Sequence, residues 1–255
     1  MSGKLSEETG LADFLRDVRS GRAPVEPFPG GGARALRNVT ACTPQQAAEL
    51  ERVSDRPPPG MVIHKHGSRS VVGRHVLTDG TPVVLKYYYP KNAAKRLSQS
   101  VLGTRCERSW LAALAMCRLG LPVPPAMYVT EKRLLGGLWL DRALLATAEA
   151  PGITLTSWVH AHEADEPRLG LMAVRLRDLF SKMARHRVTH GDLKATNLII
   201  ADDDQVRLVD LDAVTLLPSP ARWKAARERD RRIFLGNWKP GSPAHAAFSS
   251  VFDET

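Results

Sequence analysis

The chain has 255 residues, 43% of them hydrophobic and 25% charged, and its formal net charge is +9. This length can bury a sizeable core and is enough for two small lobes. No stretch offers the roughly 18 apolar residues of a membrane span, and the first residues lack the apolar core of a secretion signal. Three cysteines without metal-like pairing fit a reducing compartment, so we expect a cytoplasmic protein. Because the net charge is positive, we expect its partner to be anionic.

Residues 1–60 are interpreted as an N-terminal extension that is partly flexible. One amphipathic helix is predicted within it, from Leu11 to Val18. Three consecutive glycines, Gly30 to Gly32, follow no predicted strand. They therefore indicate a flexible loop and not a nucleotide-binding turn.

Residues 61–150 are predicted to form a small, mostly β lobe with one helix. A strand-turn-strand runs from His66 to Leu77, and Asp79-Gly80 then closes a hairpin onto the strand from Pro82 to Tyr89. Small residues in the first turn could let backbone amides approach phosphates closely. These residues are Gly67, Ser68 and Ser70. Because the turn is poor in glycine, it is weak support for a nucleotide site when taken alone.

Lys86, on the second strand of this hairpin, has two interpretations. It could be a solubility residue of an edge strand. Its position about a hundred residues before Asp192 instead favours the lysine that contacts the α- and β-phosphates in kinases.

The one helix of this lobe is predicted from Arg105 to Leu119, and Glu107 lies on its inward face with Trp110 and Leu111. An inward carboxylate needs a cationic partner, and Lys86 is the obvious one. The alternative is a first-turn acid that interacts with the N-terminus of the helix. The sequence leaves these two interpretations open.

A hinge is predicted from Thr147 to Gly152, where backbone groups of Ala148 and Ala150 could bind adenine. Residues 151–255 would then form a short helical lobe. Its best helix is predicted from Pro167 to Arg187, with a row of apolar residues on one face. The row consists of Leu169, Met172, Leu176, Leu179, Phe180 and Met183.

The most informative segment runs from His190 to Asp212. Asp192, then Asn197 five residues later, then Asp210 eighteen residues after Asp192, have the spacing of a kinase phosphotransfer centre. Asp192 would orient and deprotonate the attacking hydroxyl, while Asn197 and Asp210 would bind magnesium. Apolar runs around a polar turn predict a hairpin that places Asn197 and Asp210 at neighbouring strand ends. An ordinary hairpin with surface acids would not require both Asp192 and Asn197.

Two neighbours of Asp192 refine this hypothesis. Lys194 could neutralise the transferring γ-phosphoryl group. Gly191 stands where regulated protein kinases have an arginine that senses phosphorylation, and only forty-five residues follow Asp210. We therefore expect neither a phosphorylation-switched activation segment nor a full peptide-docking lobe.

A basic C-terminal helix is bracketed by Ser219, Pro220 and Gly236. Trp223, Ala226, Ile233 and Phe234 would face the protein. Its cations are Arg222, Lys224, Arg227, Arg229, Arg231 and Arg232. They form either a solvated face, with Glu228 and Asp230 as intrahelical partners, or a surface that contacts an anionic substrate or membrane.

Together these segments resemble the lipopolysaccharide core kinases of the Kdo/heptose kinase type, which phosphorylate inner-core sugars of Gram-negative bacteria. The resemblance spans roughly residues 61–214 and includes the corner from Gly120 to Pro125, besides the lysine strand, the helix and both magnesium motifs. It implies an α+β, bilobal protein-kinase-like fold with a small, mostly β N-lobe and a short helical C-lobe. It also implies ATP and Mg²⁺ as cofactors, and it implies the same roles for Lys86, Asp192, Asn197 and Asp210.

The leading hypothesis is an ATP-dependent kinase that phosphorylates a heptose or Kdo hydroxyl of the lipopolysaccharide inner core. The alternatives are a small atypical serine/threonine kinase of RIO type and a pseudokinase scaffold. The scaffold hypothesis is disfavoured because all four residues that the chemistry requires are present. They are Lys86, Asp192, Asn197 and Asp210. The expected partner is the anionic lipopolysaccharide core, with peripheral contact at the cytoplasmic face of the inner membrane. Nucleic acid is not expected.

Overall fold

The computed structural model describes residues 2–22, 24–29, 34–90, 103–135, 139–216 and 219–253. The chain divides into two compact units, one of Met1–Ala115 with Pro125–Glu149 and the other of Met116–Pro124 with Ala150–Thr255. Gly30 to Gly32 lie outside the described residues, so the loop predicted there stays a prediction.

The first unit is built on one antiparallel sheet. Its strands are β1 (Val25–Pro27), β2 (Arg34–Asn38), β3 (Val62–His66), β4 (Ser70–Val76), β5 (Pro82–Tyr88), β6 (Ala126–Leu134) and β7 (Trp139–Ala148). They are hydrogen-bonded in the order β1-β2-β6-β7-β5-β4-β3. The predicted β4–β5 hairpin is confirmed, with a turn at Asp79-Gly80 in which Gly80 has φ 87°. The first sixty residues therefore supply two strands to the same sheet as Lys86.

The helices of the first unit are α1 (Ser2–Arg19), α2 (Pro44–Arg52) and α3 (Arg105–Arg118), the last belonging to this unit up to Ala115. The predicted helices at Leu11–Val18 and Arg105–Leu119 are confirmed. Helix α2 was not predicted, although Thr43 and Gln46 form a capping box, the local signal for a helix start.

The main core of the first unit covers one face of the sheet. Along β5, Val83, Leu85 and Tyr87 point into this core, because alternate side chains of a strand share a face. Lys86 and Tyr88 point to the opposite face, where the Tyr88 hydroxyl meets Ser109 of α3. The strand therefore presents Lys86 on the side of the sheet that α3 covers.

The second unit is mainly helical. It contains α4 (Leu155–Ala161), α5 (Glu166–Arg185), α6 (Pro220–Leu235) and α7 (Pro243–Phe248), and the short strands β8 (Ile153–Thr154), β9 (Leu198–Ile200) and β10 (Val206–Leu208). The predicted helix from Pro167 is confirmed as α5. All six residues of its predicted apolar row are buried.

An aromatic cluster anchors the C-terminal part of this unit. Phe234 of α6 contacts Phe180 of α5 with ring centroids 5.2 Å apart, and Trp238 contacts Phe248 of α7 at 5.3 Å. Phe252 stacks on Phe180 at 4.5 Å. Because these rings are nearly inaccessible to solvent, α6 has a fixed position against α5. Among the described helices, none is long and apolar enough to cross a membrane.

Candidate active site

The hairpin predicted around the polar turn is confirmed. Strands β9 and β10 pair with Leu198 opposite Leu208, and the backbone N–H of Val209 donates to the carbonyl of Asn197 at 3.0 Å. Asn197 and Asp210 consequently flank neighbouring strand ends, as the sequence predicts.

Asp192 and Asn197 are fixed to each other through the backbone. The Asn197 Nδ2 group donates to the carbonyl of Asp192 at 2.8 Å. The Asp192 carboxylate accepts from Lys194 Nζ, which lies 2.8 Å from Oδ1 and 3.0 Å from Oδ2. The Asp192 side chain is 37% exposed, so the carboxylate sits at the surface of the unit on a rigid backbone. The structure thus brings three of the predicted site residues together.

Asp210 has a left-handed backbone, with φ 58° and ψ 62°. This conformation is uncommon for a residue other than glycine and is often retained where function requires it. Nearby, the fully buried His190 donates from Nε2 to the carbonyl of Val209 at 3.0 Å. His190 therefore holds the backbone of Val209 in place and so helps to fix the position of Asp210.

The site offers oxygen ligands that suit a hard cation. Since Asn197 uses its amide nitrogen on Asp192, its amide oxygen is the atom oriented for a ligand, alongside the Asp210 carboxylate. In the part of the chain that the structure describes, no group of three or more His, Cys, Asp or Glu side chains could hold a metal. A cation here would need these two residues together with phosphate oxygens.

Asp230 corrects the interpretation of the basic helix. Its side chain is 2% exposed, with Oδ2 accepting from the His190 N–H at 2.7 Å and Oδ1 from the Gly191 N–H at 2.8 Å. The prediction that Asp230 is an intrahelical partner of the arginines is wrong, whereas Glu228 does pair with Arg231. Burial raises the pKa of Asp230, and the two N–H bonds oppose that rise. The sequence could have predicted this burial, because Asp230 lies four residues before the inward Phe234 and therefore on the same face of the helix.

A second contact ties the end of α6 to the same loop. Asn237 Oδ1 accepts from the Ala195 N–H at 3.3 Å, while its Nδ2 donates to the carbonyls of Ile233 and Phe234 at 2.8 Å. Ala195 begins the 3-10 turn that contains Asn197. The loop is therefore held on both sides of Asp192, by Asp230 of α6 and by Asn237 just beyond the end of that helix. Asn237 was not among the predicted site residues.

The first unit holds the predicted phosphate-binding residues. Lys86 is half-buried on β5, with Nζ 5.2 Å from the centroid of the Tyr88 ring. The small residues Gly67, Ser68 and Ser70 lie in and beside the β3–β4 turn, which the Gly67 N–H closes by donating to the Ser70 carbonyl at 2.9 Å. Phosphate binding by this turn stays a prediction.

Glu107 forms an ion pair with Arg34, which was not among its predicted partners. Its Oε1 accepts from Arg34 Nη1 of β2 at 2.8 Å, and both side chains are largely buried. The hypothesis of an ion pair with Lys86 is corrected, because Arg34 takes that place. Glu107 does lie in the first turn of α3, as the alternative requires.

At the predicted hinge, the chain passes from the first unit to the second between Glu149 and Ala150. The Ala148 N–H donates to the Pro125 carbonyl at 2.9 Å, and the Glu149 N–H donates to the Pro82 carbonyl at 3.2 Å. The Ala148 N–H is therefore occupied within the protein. Adenine binding by other backbone groups of Ala148 and Ala150 stays a prediction.

A sheet with one long covering helix, followed by a helical unit with this Asp-Asn-Asp loop, defines a protein-kinase-like fold. A solved structure described as WaaP in complex with acyl carrier protein has the same fold, with a TM-score of 0.53 and 15% sequence identity. The similarity covers 75% of this chain and 77% of that chain.

Residues 64–229 match the model of the lipopolysaccharide kinase (Kdo/WaaP) family, and the chain belongs to this family. The matched range contains Lys86, Asp192, Asn197 and Asp210. The chain is also similar to serine/threonine-protein kinase RIO2 of Caenorhabditis elegans, with 31% identity over 134 residues. That similarity covers 52% of this chain but only 22% of the relative.

Proposed function

We propose that this protein is an ATP-dependent kinase that phosphorylates a sugar hydroxyl, of heptose or Kdo, in the lipopolysaccharide inner core. The proposal rests on the hydrogen bonds of Asn197. Its side chain donates to the Asp192 carbonyl and its own carbonyl accepts from the Val209 N–H, so Asn197 links Asp192 to the residue before Asp210. It is supported by membership of the lipopolysaccharide kinase family.

Each residue has a defined part in this reaction. The Asp192 carboxylate would orient the acceptor hydroxyl and accept its proton. Lys194 is paired with Asp192 and would neutralise charge on the transferring group. Lys86 would contact the α- and β-phosphates of the nucleotide.

The residues of the second unit fit a magnesium ion. The Asn197 amide oxygen and the Asp210 carboxylate would hold it, since both are hard oxygen ligands. Mg²⁺ bound with the nucleotide would supply neutralisation of the charge that develops during phosphoryl transfer.

We further propose that α6 contacts the acceptor. Arg227 donates to the carbonyl of Phe252 and Arg231 pairs with Glu228, so these two arginines serve the protein itself. Four cations are exposed: Arg222, Lys224, Arg229 and Arg232. Guanidinium groups suit phosphate oxygens, which the lipopolysaccharide core carries in number. Action at the cytoplasmic face of the inner membrane follows as part of the same proposal.

The test is phosphate transfer to isolated core oligosaccharide. Purified protein, ATP and Mg²⁺ should add a phosphate to one sugar, detected by mass spectrometry, and core from cells lacking the gene should lack that phosphate. The Asp192→Asn variant is the matched control. An unmodified acceptor together with an unchanged cellular core would contradict the proposal.

A protein kinase of RIO type is the second candidate, and the similarity to RIO2 favours it. It predicts transfer from ATP to a serine of a protein and none to core oligosaccharide. Incubation of the purified enzyme with a dephosphorylated cell extract and labelled ATP, beside the oligosaccharide assay, separates the two candidates.

A further inference from the structure

Asn237 follows the end of α6 and uses both ends of its side-chain amide. Its Nδ2 group donates to the carbonyls of Ile233 and Phe234 at 2.8 Å each. These carbonyls belong to the last turn of the helix, where intrahelical partners run out. Its Oδ1 atom accepts from the Ala195 N–H at 3.3 Å. Asn237 therefore closes the helix with one half of its amide and holds the loop of Asp192 with the other half.

The orientation of this amide follows from the chemistry of its partners. A backbone carbonyl can only accept, so the NH2 group must face Ile233 and Phe234. A backbone N–H can only donate, so the oxygen must face Ala195. The opposite orientation would place acceptor against acceptor on the helix side and donor against donor on the loop side. The end of α6 therefore fixes where the Asn237 oxygen points.

Ala195 is the first residue of the 3-10 turn that ends at Asn197. The residue before the turn is Lys194, whose ammonium group has no acceptor atom and cannot cap the turn. Ala195 is fully buried, so water cannot replace a missing acceptor for its N–H. A buried donor without a partner is costly. Asn237 thus supplies, from outside the turn, the cap that the local sequence does not provide.

The turn determines where the Asn197 side chain lies. The Asn197 N–H donates to the Lys194 carbonyl at 2.9 Å, and its Nδ2 group donates to the Asp192 carbonyl at 2.8 Å. These two bonds leave the amide oxygen of Asn197 as the proposed ligand of Mg²⁺. A turn that has lost its cap would hold this oxygen less firmly.

Two separate anchors therefore hold the loop. Asp230 binds the N–H groups of His190 and Gly191, ahead of Asp192. Asn237 binds the turn that follows Asp192 and leads to the metal ligand. The two anchors should affect different parts of the chemistry.

We propose that Asn237 is the positioning residue of Asn197 and thereby sets the affinity of the site for Mg²⁺. It acts through the backbone of Ala195 and not on the reacting groups. The inference rests on the proposed kinase function, in which the Asn197 amide oxygen binds the metal.

The first test is amide hydrogen exchange, which does not depend on catalysis. In Asn237→Ala, the Ala195 N–H should exchange roughly 2- to 10-fold faster than in the wild type, the equilibrium factor of one net hydrogen bond. The Gly191 N–H, which Asp230 binds, should exchange at the wild-type rate. NMR measures both amides separately. Equal acceleration at both positions would show a general loosening of the loop and would overturn the inference.

Ser242→Ala is the matched control. Ser242 caps α7 by accepting from the His245 N–H at 3.2 Å, and it belongs to the same unit as Asn237. Both Ser242→Ala and Asn237→Ala remove side-chain hydrogen bonds at a helix end, so both should lower the melting temperature by roughly 2–4 °C. Only Asn237→Ala should alter amide exchange at Ala195 or metal binding.

The second test measures metal binding. Mn²⁺ takes the same kind of oxygen ligands as Mg²⁺ and is detected by electron paramagnetic resonance. With a non-hydrolysable ATP analogue at saturation, Asn237→Ala should raise the Kd for Mn²⁺ by about 10-fold, the lower end of the range for residues that orient a metal ligand. Turnover should fall at low Mg²⁺ and recover at high Mg²⁺. A merely structural role would lower turnover equally at both concentrations.

Asn237→Ser keeps the inference testable if Asn237→Ala does not fold. A serine hydroxyl can donate to a carbonyl three or four residues earlier, here that of Phe234 or Ile233. The shorter side chain does not reach Ala195 as well. This variant should therefore retain the helix end and still show faster exchange at Ala195 and weaker Mn²⁺ binding.

The outcomes separate this inference from the proposed function. Wild-type Mn²⁺ affinity in folded Asn237→Ala or Asn237→Ser would overturn the inference while the kinase proposal stood. Weaker Mn²⁺ binding in an enzyme that phosphorylates protein and not core sugar would support the inference and overturn the sugar-kinase proposal. A wild-type protein that bound no Mn²⁺ together with the nucleotide analogue would overturn both.

Discussion

Gly191 turns the backbone at a point where a side chain would be strained and obstructed. Its φ is 78°, and a Cβ atom there would lie 2.5 Å from the carbonyl oxygen of Ala213. The turn therefore packs directly against the segment that follows Asp210. This contact explains why glycine occupies the position before Asp192, where regulated protein kinases have an arginine.

Asp192→Asn removes the proposed base and no proposed nucleotide contact. Turnover should fall by roughly 10²- to 10⁴-fold, the usual contribution of a general base, while ATP affinity stays near normal. Asp210→Ala should also weaken Mg-ATP binding, because it removes a metal ligand. Single-turnover kinetics and calorimetric ATP titrations measure the two effects. Wild-type turnover in Asp192→Asn would show that the base is misassigned.

Asp230→Asn tests the support beneath the catalytic loop. The amide has one acceptor oxygen for two backbone N–H groups, so either His190 or Gly191 loses its partner. The free energy of unfolding should fall by about 1–3 kcal/mol, the cost of an unsatisfied buried donor. Turnover should fall as well, with little change in the KM for ATP. Glu228→Gln, on the exposed side of the same helix, should alter neither quantity.

The ion pair between Arg34 and Glu107 should be visible in a double-mutant cycle. Arg34→Ala and Glu107→Ala should each destabilise the protein, and their combined effect should be less than additive by roughly 0.5–3 kcal/mol. Urea denaturation of the four proteins gives this coupling energy. Glu107→Ala combined with Lys86→Ala should be additive, and strong coupling there would restore the lysine–glutamate pair.

Helix α6 has two faces with different tasks. Phe234 and Asp230 are buried, so one face supports the core and the catalytic loop. The exposed face bears four cations that have space to meet a ligand. The same helix therefore carries both the proposed acceptor surface and Asp230, which binds the backbone just before Asp192.

Replacing Arg222, Lys224, Arg229 and Arg232 by serine should raise the KM for the lipopolysaccharide acceptor. An exposed ion pair is worth about 0.2–1 kcal/mol, so each replacement should contribute up to about fivefold. The KM for ATP should stay near normal. Added salt should weaken acceptor binding in the wild type but barely in the variant, because screening acts on exposed charges. An unchanged KM for the acceptor would show that the cations form only a solvated face.

Local patterns predicted the elements that local interactions determine. The apolar row of α5 and the hairpin around Asp202 to Asp204 follow from period and turn chemistry, and both agree with the structure. The spacing of Asp192, Asn197 and Asp210 similarly predicted their proximity. Asp230 and Arg34 could not be predicted in this way, because their partners lie 40 and 73 residues away along the chain. Such partners depend on tertiary packing.

At the scale of the whole molecule, the matched family range is not a unit of folding. The match ends at residue 229, immediately before Asp230. It also begins at residue 64, after β1, β2 and α2, whose Ala47 and Leu50 are buried in the core of the first unit. The residues outside the match therefore complete both the sheet and the catalytic loop.

A fragment of residues 64–229 should consequently lack a cooperative thermal transition. The fragment lacks the core residues of α2 and the aromatic cluster around Phe234. It also lacks Asp230, whose carboxylate accepts from the His190 N–H. Differential scanning calorimetry of this fragment beside the full chain measures the difference. A monomeric fragment with a sharp transition would show that the flanking residues are dispensable.

The two outer strands of the sheet have a consequence for behaviour at high concentration. Among the described strands, the sheet ends on one side with β1, which is three residues long and closed by Pro27, and on the other with β3, whose register shifts between Ile63 and Lys65. Short, proline-bearing and irregular edges are poor templates for strand addition from another molecule. Without β1 and β2, the nine-residue β6 would become an edge strand, and its backbone groups from Tyr128 to Glu131 would lose their partners. We therefore expect the N-terminal residues to reduce fibril-like self-association, a role separate from chemistry.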